Sequence, residues 1–392
     1  MYLLLEKRSG IGYSNSNSYA ILLKPSSMRY VLVISLIFLS CVKSVKIPYK
    51  YVEPQKIVTD YRLPRLKANS PVIFPYQGIH LSSIGAVRID EFLEKIDKTG
   101  LNCIVVAFKE ALGTVDYNTE VEFAKLIGAS YPIINIDTLI KKCKAHRIYL
   151  IARIVVFKDS VLALYNDGQF AIKKQDGGIW RDDHGRLWVD PYSRKVWQYN
   201  IEIAKELVSK GVDEIQFDYI RFPSSKRLES AYFAYKRQGD SREKAIVEFL
   251  RRAKEELIPF GVTVSGDVYG YTIWLERLEY EGQNLELMSQ YLDVIYPMLY
   301  PSHFHSKFKW AENPRDREYD IVYESLVRAK ERVGKNKFVA YIQGFNLRSP
   351  GFGPAYIMNQ IEAVRDANAF GFIVWNARND YEALFECLKT LY

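Results

Sequence analysis

The sequence predicts a (β/α)8 TIM barrel that follows a signal or lipoprotein leader and a short tether, and three observations support this fold class. Eight short runs rich in β-branched and aromatic residues, the types that strands prefer, recur along residues 71–392. Helix-like segments separate the runs, and this alternation indicates parallel strands joined by crossovers. A barrel is the simplest closed arrangement of eight such units. A doubly wound open sheet is the alternative, but neither a GxGxxG nor a Walker sequence supports it.

Each predicted strand is a short apolar run. The runs are residues 77–82, 101–108, 148–157, 213–220, 262–269, 292–299, 338–345 and 370–376. Apolar and small residues from Val196 to Leu207 recur with a period near 3.6, which predicts a helix that ends at Gly211. Cys103 is expected in the second strand and Cys143 in a helix, both as buried core residues. The wide spacing of the cysteines excludes a CxxC metal site and a disulfide framework.

Residues 1–40 have the features of a signal segment. The run 30–39 is apolar and uncharged, and it follows Arg29. A membrane-spanning helix needs about 20 such residues, whereas a run of this length is typical of a signal-peptide core. Cys41 comes directly afterwards, which resembles a bacterial lipoprotein signal with cleavage before Cys41 and a lipid on its sulfur. A plain secretory signal or an uncleaved anchor is the alternative, and Met28 is an alternative start.

The positive charge of the chain is concentrated near its start. The whole sequence has a net charge of +8, from 54 Lys and Arg against 46 Asp and Glu. Residues 1–50 carry seven Lys and Arg and a single Glu, which leaves a net charge of +2 for residues 51–392. A basic face for nucleic acid is therefore not expected. Residues 41–70, which are rich in Lys, Tyr and Pro, are predicted to be a tether beside the membrane.

The fourth predicted strand carries an acidic residue where a barrel places its chemistry. Side chains alternate between the two faces of a strand, so Ile215 and Phe217 can pack against helices while Asp218 points into the barrel. Active sites of such barrels lie at the carboxyl ends of the strands. We therefore predict that Asp218 is a functional carboxylate. A purely structural salt bridge to Arg153 or Arg221 is the alternative.

The fifth predicted strand places a second carboxylate at the same rim. Val264 and Val268 form one face, which leaves Ser265 and Asp267 on the other. Glycosidic cleavage uses two carboxyl groups: one protonates the leaving oxygen, and the other attacks or activates water. Asp218 and Asp267 are the predicted pair, with Asp267 as the acid. A loop-capping role for Asp267 is the alternative, and the sequence does not distinguish retention from inversion.

Polar and aromatic residues at the other strand ends are predicted to bind the sugar. Amides and charged groups bind hydroxyls, and aromatic rings stack on sugar faces. The predicted substrate-binding residues are His80, Lys109, Arg153, Lys158, Asp159, Arg221, Tyr300, His303, Gln343, Trp375 and Asn376. The long connection 160–195 is expected to be a binding loop over the mouth. His303 and His305 lack an evident third ligand, so neither a metal nor another cofactor is predicted.

Five segments carry a resemblance to a known family. They are FDYIRFP at 217–223, ARIVVFKD at 152–159, WVDP at 188–191, SGDVYG at 265–270 and PMLYPSH at 297–303. Together they resemble a family of bacterial putative glycoside hydrolases with a TIM-barrel fold, distantly like α-amylase-type enzymes, over about residues 75–380. In α-amylase-like barrels the fourth-strand aspartate is the nucleophile and a fifth-strand acid is the proton donor. By strand order, the resemblance assigns these roles to Asp218 and Asp267.

Two positions depart from that family's pattern. Ala107 stands where the second strand usually carries an acid, and Gly344 stands where an acid often follows the position of Gln343. α-Amylase-like chemistry uses a third carboxylate on the seventh strand. The predicted function is a glycoside hydrolase that acts on a poly- or oligosaccharide and is lipid-anchored at the cell envelope. The alternative is a catalytically degenerate carbohydrate-binding or scaffold lipoprotein on the same fold.

Overall fold

The structure is a computed structural model that describes residues 75–308, 317–334 and 336–389. The predicted signal segment, the lipid attachment at Cys41, the alternative start at Met28 and the tether lie outside the described residues. Within the described residues, no helix is both long enough and apolar enough to cross a membrane.

Eight parallel strands close into a barrel, as predicted. They are β1 (Tyr76–Leu81), β2 (Cys103–Lys109), β3 (Tyr149–Val155), β4 (Glu214–Asp218), β5 (Thr263–Tyr269), β6 (Val294–Met298), β7 (Lys337–Gln343) and β8 (Gly371–Trp375). Each strand is hydrogen-bonded to its neighbours along the chain, and β1 pairs with both β2 and β8, which closes the sheet. The observed ends lie within two residues of the predicted ones.

A helix follows each strand. These are α1 (Ile89–Ile96), α2 (Ile136–Ala145), α3 (Arg194–Lys210), α4 (Arg242–Leu257), α5 (Leu285–Met288), α6 (Arg317–Val333), α7 (Pro354–Asp366) and α8 (Glu382–Lys389). The helix predicted from its apolar period is α3. It ends at Gly211, whose φ of 103° lies in the left-handed region that favours glycine.

The connections between the barrel strands and helices contain shorter helices and strands. The additional helices are Ser83–Val87, Glu122–Leu126, Ser160–Gly168 and Gly270–Trp274. Strands Val115–Tyr117 and Ser130–Ile134 extend the sheet beyond β2, and Lys173–Lys174 pairs with Ala231–Tyr232. The last pair joins the connection after β3 to the connection after β4, so it lies on the same side of the barrel as the strand ends.

The core has an outer and an inner layer. Ile215 and Phe217 belong to the outer layer between strands and helices, as the alternation of β4 predicts. The inner layer fills the barrel and includes Cys103, Tyr296 and Tyr341. Cys103, like Cys143 in α2 and Cys387 in α8, is a buried cysteine, which confirms the core positions predicted for Cys103 and Cys143.

Closure between β1 and β8 depends on a glycine. Gly371 pairs with Tyr76, and a Cβ at position 371 would lie 1.9 Å from the Tyr76 carbonyl oxygen. We expect Gly371→Ala to lower the free energy of unfolding by about 1–3 kcal/mol, because a backbone atom cannot move aside as a flexible side chain can. Urea denaturation measures the loss. Gly353→Ala is the control, since nothing lies within 4 Å of its Cβ position; equal stability of both variants would contradict this account.

Candidate active site

Asp218 and Asp267 meet at the carboxyl end of the barrel. On the β4–β5 ladder Phe217 pairs with Gly266, which brings the next residue of each strand side by side. Both side chains are buried, with exposed fractions of 6% and 2%. The Nε atom of Arg153 lies 3.0 Å from Oδ2 of Asp218 and 3.9 Å from Oδ2 of Asp267, so the two predicted neighbours share one cation.

Arg153 holds this carboxyl pair. Its Nε and Nη2 atoms donate to Oδ2 of Asp218 at 3.0 and 2.5 Å, and Nε lies 3.9 Å from Asp267. Its Nη1 lies 3.7 Å from Glu110, which follows β2. Burial alone would lower the pKa of Arg153, but the negative charges of Asp218, Glu110 and Asp267 raise it instead. One guanidinium therefore balances three carboxyl groups at the mouth.

The two aspartates differ electrostatically. Burial, and then the negative charge of Asp218, raise the pKa of Asp267 well above its usual range, although Arg153 opposes the shift. Asp218 receives both Arg153 contacts and a hydrogen bond from the backbone N–H of Tyr219. The raised pKa favours the protonated form of Asp267, and the ion pair with Arg153 favours the charged form of Asp218. This is the division of roles that acid-assisted cleavage needs.

Tyr219 holds its backbone in a conformation that non-glycine residues rarely adopt. Its φ is 51°, directly after Asp218. This left-handed turn aims the N–H of Tyr219 at its neighbour's carboxylate. Strain of this kind persists where the surroundings enforce it and is concentrated at functional sites.

An aromatic wall borders the carboxyl pair. Tyr300 packs against Trp375 and Phe345, with ring centroids 5.6 and 5.7 Å apart, and Trp375 lies 6.4 Å from the ring of His80. Burial and the nearby Arg153 lower the pKa of His80 well below its ordinary value, so the ring is neutral. Neither ring nitrogen has a hydrogen-bond partner in the described part of the chain, and both nitrogens are buried.

A second group of aromatic rings surrounds Arg221. Its guanidinium lies 5.0 Å from the ring of Trp188 and 4.5 Å from that of Tyr269. Of the two ion pairs that the sequence offered as a structural alternative for Asp218, the structure shows the one with Arg153. An ion pair between Asp218 and Arg221 is not found among the described residues. Lys158 lies beside the same group and contacts Tyr219. Both predicted binding residues therefore lie at the mouth.

A family model described as "putative glycosyl hydrolase domain" matches residues 78–381, a span that contains Asp218, Asp267 and Arg153. The chain belongs to this family. Family membership supports a carbohydrate-active function. No curated protein matches the chain.

Several solved structures are similar to this family member. One is a hypothetical protein from Ruminiclostridium thermocellum, which is 38% identical in sequence. The alignment covers 49% of this chain and 97% of that chain, with a TM-score of 0.45. The glycoside hydrolase domain of PgaB (BpsB) from Bordetella bronchiseptica is 11% identical in sequence. The alignment covers 80% of this chain and 98% of that chain, with a TM-score of 0.55. The spore cortex-lytic enzyme SleL of Bacillus megaterium is 12% identical in sequence. The alignment covers 82% of this chain and 75% of that chain, with a TM-score of 0.50. The latter two likenesses concern the fold alone.

Lys109 and Asp159 lie away from the mouth of this family member, although the sequence predicts that they bind substrate. They form an ion pair at 2.7 Å, and both side chains are fully buried. The cause is a β-bulge between Ala107 and Lys109, which turns Lys109 from the inner to the outer face of β2. Asp159 also caps the helix that follows, by accepting from the N–H of Leu162. The pair supports the loops around the site instead of reaching a sugar.

Gln343 and Asn376 are placed as ties between loops. Gln343 is fully buried, accepts from the N–H of Ser302 and donates to the carbonyl of Phe345. Asn376 donates to the carbonyl of Gly344 at 2.6 Å. Because the polar atoms of both amides are hydrogen-bonded to the backbone, these side chains position the loops at the mouth.

His303 lies at the rim on an exposed turn, 5.2 Å from the ring of Tyr300. Burial of its ring and the charge of Arg348 lower its pKa. Within the described residues, no group of three or more His, Cys, Asp or Glu side chains is arranged to hold a metal ion.

The third carboxyl group of the mouth directly follows β2 and does not come from β7. A Cβ at Gly344 would lie 2.5 Å from Val374, so an acidic side chain does not fit there without movement. Ala107 faces the barrel beside Arg153. Glu110, two residues past the bulge, instead supplies the carboxylate near Arg153, with a side chain that is 28% exposed. Its role could be found only with knowledge of the bulge.

Glu214 is a buried carboxyl group deep in the barrel that sequence reasoning missed. It accepts from Ser265, Tyr296 and Tyr76 at 2.6, 2.8 and 2.9 Å. Burial nevertheless raises its pKa from 4.5 to about 7. The inward alternation of β4 could have indicated it, since Glu214 shares a face with Asp218.

This raised pKa predicts a dependence of stability on pH. The folded chain holds the Glu214 proton more tightly than the unfolded chain, so its stabilising effect is complete below about pH 4.5 and is lost as pH rises to about 7. Glu214→Gln is expected to lack this loss, a difference of about 3 kcal/mol. Urea denaturation across this range measures it, with the exposed Glu255→Gln as control. Parallel pH profiles of wild type and Glu214→Gln would refute the assignment.

Proposed function

We propose that this protein is a glycoside hydrolase that cleaves a poly- or oligosaccharide with Asp218 and Asp267 at the carboxyl ends of β4 and β5. The observation that carries the proposal is the pair of buried carboxyl groups on adjacent strands, which share Arg153 at the mouth of the barrel. A neutral acid and a charged carboxylate side by side are the two groups that glycosidic cleavage needs.

Each group has a defined part in the proposed reaction. Asp267, whose pKa is raised, donates its proton to the leaving oxygen. Asp218, charged and oriented by Arg153 and the Tyr219 N–H, acts as the nucleophile or as the base for water. Tyr300, Trp375 and His80 supply the wall against which the sugar ring packs.

The burial of the carboxyl groups favours a second candidate function. Asp218 and Asp267 have exposed fractions of only 6% and 2%, and Asp218 is held in an ion pair with Arg153. A barrel that binds carbohydrate without cleaving it would keep this arrangement permanently, whereas an enzyme must open both carboxyl groups to the sugar.

A glycan panel distinguishes the two candidates. The wild-type protein and the double variant Asp218→Asn/Asp267→Asn are incubated with poly- and oligosaccharides, and released reducing ends are counted. Product release by the wild type alone supports the hydrolase. Binding of the same glycan by both proteins, with release by neither, would support the binding protein and overturn the enzyme.

Glu110→Gln belongs in the same assay. Glu110 approaches a different nitrogen of Arg153 from the one that binds Asp218 most closely. If the acid is Asp267, Glu110→Gln retains measurable product release, while Asp267→Asn does not.

We further propose that the protein is held at the cell envelope, outside the cytoplasm, by a lipid on Cys41. The support is the leader sequence, with its apolar run at 30–39 directly before Ser40 and Cys41. Metabolic labelling with a fatty acid tests it: the wild type should incorporate label and Cys41→Ser should not. Labelling of neither protein, or of both, would overturn the lipid anchor.

A further inference from the structure

Two buried cations, Lys158 and Arg221, lie beside the carboxyl pair without a carboxylate partner of their own. Their exposed fractions are 9% and 7%. In the described ranges, the hydrogen bonds of Lys158 and Arg221 go only to Tyr219, Phe222 and Ser224, none of which is charged. A buried cation is costly unless a counter-charge accompanies it.

The guanidinium of Arg221 is held in an orientation that suits the binding of an anion. Three rings hold its guanidinium in place: those of Trp188, Tyr219 and Tyr269, at 5.0, 4.9 and 4.5 Å. Its Nη1 donates to the Phe222 carbonyl at 3.0 Å and lies 3.5 Å from Ser224 Oγ. The Nε and Nη2 atoms have no hydrogen-bond partner among the residues that the structure describes. A guanidinium fixed in this way offers a planar pair of donors, which matches an oxyanion.

Lys158 adds a second positive charge at the same place. Its Nζ lies 4.7 Å from the centre of the Tyr219 ring and 3.4 Å from its hydroxyl. The Arg221 guanidinium is 4.9 Å from the same ring centre, so both cations contact the Tyr219 ring. Burial, and then Arg186 and Arg221, lower the pKa of Lys158 to about 8.

Two aspartates also face Lys158, but both are engaged elsewhere. Asp182 accepts from the indole N–H of Trp188 and from the backbone of its own turn, and Asp218 accepts from Arg153. Their charges raise the pKa of Lys158 less than burial, Arg186 and Arg221 lower it. In the part of the chain that the structure describes, neither aspartate forms an ion pair with Lys158.

This positive cluster adjoins the proposed catalytic pair. Tyr219 directly follows Asp218, and Tyr269 lies two residues after Asp267 on β5. A sugar bound over the two aspartates would bring its ring substituents to Lys158 and Arg221.

We propose that Lys158 and Arg221 form a subsite for an oxyanion on the sugar, the carboxylate of a uronic acid, so that the substrate is an anionic glycan. This inference rests on the proposed function, since it places the sugar over Asp218 and Asp267. The uronate carboxylate accepts from the unpartnered edge of Arg221 and from the Lys158 ammonium. Sulfate esters present the same chemistry and are separated from uronates by experiment.

The test compares matched ligands. Oligosaccharides that contain uronic acid are titrated calorimetrically into the full chain, each beside its carboxyl-reduced neutral counterpart and beside a sulfated neutral sugar. The uronate is expected to bind at least about tenfold more tightly than its reduced counterpart. The preference should decline above about pH 8, where Lys158 loses its charge. Tighter binding of the sulfated sugar supports the oxyanion site and makes a sulfate ester its ligand.

Charge-removing variants locate the subsite. Lys158→Gln and Arg221→Gln are each expected to reduce the preference for the uronate about tenfold, with binding of the neutral counterpart retained. Lys158→Gln leaves the stacked rings around Arg221 intact, so it remains informative if Arg221→Gln folds poorly. The exposed Lys226→Gln is the control, because it removes one positive charge from the following turn.

Equal binding of uronate and reduced ligand by the wild type would overturn the subsite, as would an equal loss of both ligands in Lys158→Gln. The outcome for the hydrolase is separate. Cleavage of neutral glycans that Asp218→Asn abolishes, with no preference for uronates, refutes the subsite alone. A preference for uronates that depends on Lys158, with no cleavage by the wild type, supports the subsite and refutes the hydrolase alone.

Discussion

Asp218→Asn is expected to lower kcat/KM by about 10³-fold or more on any glycan that the wild-type protein cleaves. Asparagine has nearly the same shape, so it keeps the acceptor for Arg153 and fills the same space. It lacks the negative charge that a positively charged sugar transition state requires. Most of the loss should appear in kcat, because the carboxylate acts on the transition state more than on the bound sugar.

Initial rates of the wild type and Asp218→Asn across a range of substrate concentrations measure this effect. Asp183→Asn is a matched control, since Asp183 lies on the connection after β3 and forms only an exposed ion pair with Arg227. The control should retain wild-type kinetics. Near-normal turnover by a folded Asp218→Asn would remove Asp218 from the mechanism and leave Asp267 and Glu110 as the carboxyl groups beside Arg153.

The barrel could be predicted from the sequence because its strands and helices are specified by patterns of neighbouring residues. The apolar runs of the eight strands and the helical period of α3 depend on neighbouring residues, and their positions are confirmed within two residues. The inward position of Asp218 follows from the same alternation. The order of the adjacent strands also predicts that Asp218 and Asp267 are neighbours. It does not predict how far apart their carboxyl groups lie.

The rest of the site could not be predicted because it depends on irregular backbone and long-range contacts. Strict alternation places Lys109 inside the barrel, whereas one extra residue in the β2 ladder turns it outward toward Asp159. The same bulge precedes Glu110, and no local pattern marks its approach to Arg153. Gln343 and Asn376 have the residue types of sugar binders, but they bind backbone groups instead. Gln343 accepts from the N–H of Ser302 and Asn376 donates to the carbonyl of Gly344, and both partners are more than 30 residues away in the sequence.

The largest effect on stability is expected at Arg153. Arg153→Met should lower the free energy of unfolding by about 3–5 kcal/mol, because it leaves Asp218 and Asp267 buried without their cation. The methionine fills much of the volume, so most of the loss is electrostatic. Urea denaturation at neutral pH measures it, and Arg88→Met, which breaks a fully exposed pair with Glu91, should show no measurable change.

The pH dependence separates this explanation from simple loss of packing. Without Arg153, the native state favours protonated carboxyl groups, so their folded-state pKa values exceed the unfolded ones and the penalty grows as pH rises. Acidification should therefore recover part of the stability of Arg153→Met. Adding Asp218→Asn should recover part of it at neutral pH as well, because one buried charge is then absent. A deficit that neither change reduces would mean that Arg153 acts through its packing, and the charge balance among Arg153, Asp218, Asp267 and Glu110 would no longer explain why Asp267 keeps its proton.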